Sequence, residues 1–69
     1  MTVHSKLKQC LNSIESARTS LEGFAQDTQD PQAKQMFTQC ASKMFDASEQ
    51  IRNRLRFIEE EEPQFRSEQ

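Results

Sequence analysis

Apolar residues recur at Val3, Leu7, Cys10, Ile14, Ala17, Leu21 and Phe24, stepping alternately by four and by three. Held over three heptads, that rhythm marks an amphipathic helix packed against other helices and excludes the two-residue alternation of a half-buried strand. Leu11 and Ala25 widen the stripe. A second stripe runs through Ala33, Phe37, Cys40, Met44, Ala47, Ile51, Leu55 and Ile58, flanked by Met36 and Ala41. Between them, DTQDPQAK breaks the pattern. Asp30 before Pro31 supplies an N-cap and a first-turn proline, whose missing N–H is harmless at that position. Thr2 is the expected N-cap of the first helix, and Pro63 is expected to stop the second, because the residue before a proline is driven out of the α region. The expected layout is one domain: helix 3–27, turn 28–30, helix 31–61 and a short tail 62–69. So short a turn joins antiparallel neighbours, and the expected fold is all-α, an antiparallel helical hairpin. Gly23 lies inside the first stripe, weakens it by roughly 1 kcal/mol against Ala, and reads as a close approach or a fraying point.

A chain of this size hides only about 60% of the surface its unfolded form exposes, so a solitary core is marginal. The first stripe covers roughly 140° of its helix, wider than a two-stranded seam needs. Phe45 and Phe57 fall outside the second stripe, and burying each is worth roughly 1.5–3 kcal/mol. Two hairpins are therefore expected to pair into a four-helix bundle or a larger homo-oligomer. Its interface is expected at Leu7, Ile14, Leu21, Phe24, Phe37, Met44, Phe45, Ile51, Leu55, Phe57 and Ile58.

The charge balance excludes other classes. A net charge of −2 with 29% charged residues is not the basic footprint of a nucleic-acid binder. Arg52, Arg54 and Arg56 do not share a face, and the glutamates after them would repel a polyanion. No run reaches the ~18 apolar residues a membrane span needs, so direct membrane insertion is not expected. With no apolar leader after Met1, the reading is cytoplasmic, with Cys10 and Cys40 as reduced thiols. Both cysteines occupy stripe positions and read as small core hydrophobes. His4, the one histidine, lies near an exposed end without an evident orienting carboxylate. Ser13, Ser16, Thr19 and Ser20 line an outer face, where hydroxyls alone carry no catalytic argument. No catalytic, cofactor-binding or metal residues are expected, and no enzyme.

The segment FIEEEEPQFR places four carboxylates at a helix C-terminus, the pole that favours cations. In a hairpin turning near residue 29, facing positions sum to about 58 if both helices rise equally. The glutamates then lie beside or just past the N-terminus of the first helix, whose dipole offsets them. Arg56 is placed to reach Glu59 or Glu60. Consecutive helical positions point about 100° apart, so one helix cannot converge four carboxylates on a cation.

The opening MTVHSKLKQCLNSIESARTSLEGFA, the segment QDPQAKQMF and the closing EEEEPQF resemble, over nearly the whole chain, the family called domain of unknown function 1657. The resemblance implies a small helical protein of endospore-forming bacteria, occurring alone or with spore membrane proteins, some near genes for dipicolinate transport. It implies a non-enzymatic, sporulation-linked role and brings no catalytic or ligand residues. It also makes Glu61, Glu62, Pro63 and Phe65 a candidate docking element, with Phe65 as the anchor. The leading expectation is a self-associating structural or scaffolding protein of the cytoplasm, in the forespore or spore core. The alternatives are an adaptor docking its acidic end to a spore membrane protein, and a cation-binding bundle.

Overall fold

Asp30 starts the second helix: its Oδ1 accepts the backbone N–H of Gln32 at 3.1 Å, and its carbonyl accepts that of Lys34 at 2.9 Å. One residue pair earlier, the Thr28 N–H closes the last turn of the first helix on the Phe24 carbonyl at 3.0 Å. The Thr28 hydroxyl oxygen then accepts the Asp30 N–H at 3.2 Å, which fixes the three-residue reversal. Helix α1 spans Val3–Asp27 and helix α2 spans Pro31–Glu61, in a computed structural model that describes residues 3–61. The fold is an antiparallel helical hairpin, with no strand among the described residues. Thr2, Pro63 and the rest of the tail lie outside them. Asp30→Ala should lower hairpin stability by about 1 kcal/mol through loss of the cap. A melting curve unchanged by that substitution would show that the proline alone starts the helix.

The hairpin is a rod measuring 48 × 16 × 14 Å, with a radius of gyration of 15.3 Å. A compact chain of this length would have a radius near 11 Å. Its exposed area, 5141 Å², is likewise larger than the roughly 4,500 Å² that size scaling gives for a compact monomer of this mass.

Little is sealed inside. The buried residues are His4, Ala25, Ala41, Ser48 and Leu55, so one large aliphatic side chain is buried among those described. Ser48 is 0% exposed, and its hydroxyl is satisfied by donating to the Phe45 carbonyl at 2.8 Å. The seam of α1 passes through His4, Leu7, Leu11, Ile14, Arg18, Leu21 and Ala25, and that of α2 through Phe37, Ala41, Met44, Ser48, Ile51, Leu55 and Ile58. Both keep the three-and-four spacing of the apolar stripes, but each is rotated to one edge of its stripe. In α1, the residues Val3, Cys10, Ala17 and Phe24 are left outside, all exposed. Cys10 is therefore not a core residue of the hairpin, and Cys40 is half-buried.

Three further expectations change. Residues in contact across the seam include His4 with Glu59, Arg18 with Phe45, and Phe24 with Phe37, so facing positions sum to about 61–63 rather than 58. The first turn of α2 projects beyond the end of α1 instead of rising level with it. Gly23 is no close approach, since a Cβ there would meet nothing within 4 Å. His4 is not at an exposed end: it is 2% exposed, and its Nε2 lies 3.0 Å from the Glu59 carboxylate.

Candidate functional site

At 100° per residue, each helix has one flank on either side of the seam, and the two sides of the rod differ sharply. One side is polar. Arg18 donates to Glu15 and to Glu22, each at 3.2 Å, and Arg52 crosses from α2 to donate to Glu15 at 3.0 Å. Arg52 also lies 3.7 Å from Glu49, and the Arg18 guanidinium stacks 5.6 Å from the Phe45 ring centre. The stems of Glu15 and Arg18 cover the edge of the seam while their heads form the cross-hairpin network. An open groove follows on this side, with Ala25 and Ala41 as its floor and Arg18, Lys34 and Phe45 in its walls.

The hydrogen bond from Arg18 holds the Glu15 carboxyl below its ordinary value of 4.5; partial desolvation opposes this, and the charges of Arg18 and Arg52 reinforce it. Glu15 is deprotonated more readily in the folded chain than in the unfolded one. Its stabilising effect is therefore complete above the unfolded value near 4.5 and is lost as pH falls through the lower folded value. Glu15→Gln should flatten the acid side of a plot of melting temperature against pH. An identical slope in parent and variant would remove Glu15 from the acid response.

The other side is apolar. Leu7, Cys10, Ile14, Ala17, Leu21 and Phe24 of α1 lie beside Phe37, Cys40, Met44, Ala47, Ile51 and Ile58 of α2. Each is half-buried or exposed; none is buried. Phe24 and Phe37 meet across the seam here, ring centres 5.5 Å apart, yet Phe24 is still 53% exposed. Of the expected interface residues, Leu7, Ile14, Leu21, Phe24, Phe37, Met44, Ile51 and Ile58 share this face. Leu55 does not, being closed into the seam. Phe45 stands on the polar side, and Phe57 on the outer side of α2, where the Arg54 guanidinium covers its ring at 5.0 Å. Such stacking is worth roughly 0.5–1 kcal/mol at exposed sites, so both rings are partly screened without a partner.

The candidate ligand residues do not converge. With facing positions summing to about 63, Cys10 and Cys40 are separated by about 20 Å along the rod at 1.5 Å per residue. Both are free thiols, and the Cys40 Sγ lies 3.9 Å from the Met36 sulfur. Among the described residues, no group of three or more His, Cys, Asp or Glu side chains is placed to hold a metal ion. Glu59 turns inward to His4, while Glu60 and Glu61 are exposed. Arg56 donates to Asn53 at 3.1 Å. Of the candidate docking element, Glu61 is exposed, and Glu62, Pro63 and Phe65 lie outside the described residues.

The contact of buried His4 with Glu59 and the Glu15–Arg52 bridge escape a stripe reading, which follows apolar residues alone. The available signal was the seven-residue spacing of His4, Leu11, Arg18 and Ala25, and of Ala41, Ser48 and Leu55.

The family model described as "Protein of unknown function (DUF1657)" matches residues 7–55, most of both helices and the whole turn. The chain belongs to the DUF1657 family. The matched span contains the Glu15–Arg18–Arg52 network and nearly all of the apolar face; His4 and Glu59 fall outside it. No curated protein and no solved structure matches this DUF1657 chain. Among its described residues, no helix is long and apolar enough to cross a membrane.

Proposed function

We propose that this DUF1657 protein is a non-enzymatic structural element that works by associating with copies of itself, two hairpins forming a four-helix bundle. The observation that carries this reading is the distribution of burial. Among the described residues the seam buries one large aliphatic side chain, Leu55, while the leucines, isoleucines and phenylalanines of the apolar side, with Met44, stay in partial contact with water. Most of these side chains are already largely covered, so completing the burial of each is worth at most roughly 1 kcal/mol, with more for Phe24, still 53% exposed, before the entropy of ordering them is subtracted. A rod with so little interior gains further stability by sheltering that side. The sporulation-linked role implied by the sequence resemblance is part of the same proposal: a scaffold rather than a catalyst, acting in the forespore or spore core.

Size-exclusion chromatography coupled to light scattering tests the reading at micromolar concentration. The expected mass is at least twice the 8.1 kDa of one chain. A folded, helical species of 8.1 kDa would overturn it.

A further inference from the structure

Resting on that reading, we infer that a second copy of this chain seats on the apolar side of the rod, and that its arrival closes off the thiols of Cys10 and Cys40. Three observations converge on a copy as the occupant. The apolar side runs along most of the 48 Å rod, so a copy of equal length laid against it can cover the whole stripe at once.

The face is also built to meet itself. Ala17 and Ala47 stand at one level near mid-length, since their numbers sum to about the value of facing residues. Bulky side chains, Ile14 and Ile51 on one side and Leu21 and Met44 on the other, flank this narrow waist. A twofold assembly needs such a self-complementary patch, in which small residues admit close approach and large ones interlock beside them.

Charge is the third observation. The ion pairs of Glu15, Arg18, Glu22, Glu49 and Arg52 gather on the opposite side. Along the rim of the apolar side, exposed Lys6, Lys43 and Arg54 are interrupted by Ser13, Ser20, Gln50 and the acidic Asp27, not joined in the rows of cations that seat a helix on an anionic lipid surface. Cys10 is exposed and Cys40 half-buried in the single hairpin, and both lie inside the patch.

Ala17→Glu is the deciding variant. Position 17 is exposed in the hairpin, so the helices should persist while the copies separate. The expected result is a mass falling to that of one chain, with helical circular dichroism retained. Its two thiols should react with a small aromatic disulfide reagent roughly tenfold faster than those of the parent at a concentration about a hundredfold above the parent's dissociation constant. Phe45→Glu, on the polar side, should keep both the parental mass and the slow thiols. Assembly that survives Ala17→Glu, or that Phe45→Glu alone dissolves, would overturn this face while leaving self-association intact. A parent that is itself a single folded chain would overturn both.

Discussion

Ile14→Asp should dissociate the assembly and unfold the helices in one step. Ile14 is half-buried at the border between the seam and the apolar side, so it serves both surfaces. An aspartate there loses the isoleucine's packing and carries an unpaired charge into a site that two copies would make dry. The combined cost is about 3 kcal/mol or more. A 69-residue domain has roughly 3–10 kcal/mol in total at ordinary stability per residue, and a rod with so few buried apolar side chains belongs at the low end of that range, so the variant should be largely unfolded. Circular dichroism and light scattering on one sample should lose helix and mass together. The contrast with Ala17→Glu, where mass falls and helix stays, separates a residue of both surfaces from a residue of one. An Ile14→Asp protein that stayed folded and assembled would show that neither surface passes through position 14.

Leu55→Ala should produce the largest loss attributable to the seam alone. Leu55 is 7% exposed and packs between the helices near their open ends, away from the apolar side. Truncating a buried leucine costs about 2–5 kcal/mol, depending on how far the surroundings collapse into the gap. At about 4–8 °C per kcal/mol for a domain of this size, the melting temperature should fall by about 10 °C or more. The subunit number at low temperature should be unchanged, because the residue lies outside the proposed contact between copies. A shift of only a few degrees would place the seam of α2 on another set of residues.

The hairpin was legible because its signals are local. The four-and-three spacing on either side of DTQDPQAK, with Asp30 ahead of Pro31, specifies two helices and a short reversal without reference to anything distant. The choice of seam was not local. Val3, Cys10, Ala17 and Phe24 are more apolar than His4, Arg18 and Ala25 taken together, so the stripe drew the packed face toward them. The hairpin instead packs the other edge. There, small Ala25, Ala41 and Ser48 let the backbones approach, and Glu15 and Arg18 lay their stems over the gap and pair their charges with Arg52. An apolar stripe records which residues avoid water, whereas the seam of two helices uses only part of that stripe and accepts polar residues whose heads can escape. The same reasoning explains why His4 was placed outside. A histidine enters a seam when a carboxylate meets it, and Glu59 could be assigned to that place only once the facing positions were known.

The clasp of His4 by Glu59 has a practical consequence for how the molecule presents its two ends. The chain enters α1 and leaves α2 at one pole of the rod, while the reversal at 28–30 occupies the other. A reporter attached at exposed Val3 and another at exposed Glu61 would stand as neighbours, about a helix diameter apart, roughly 10 Å. Donor and acceptor dyes so placed would transfer energy strongly while the hairpin is closed, and the loss of that transfer would report the two helices opening about the reversal.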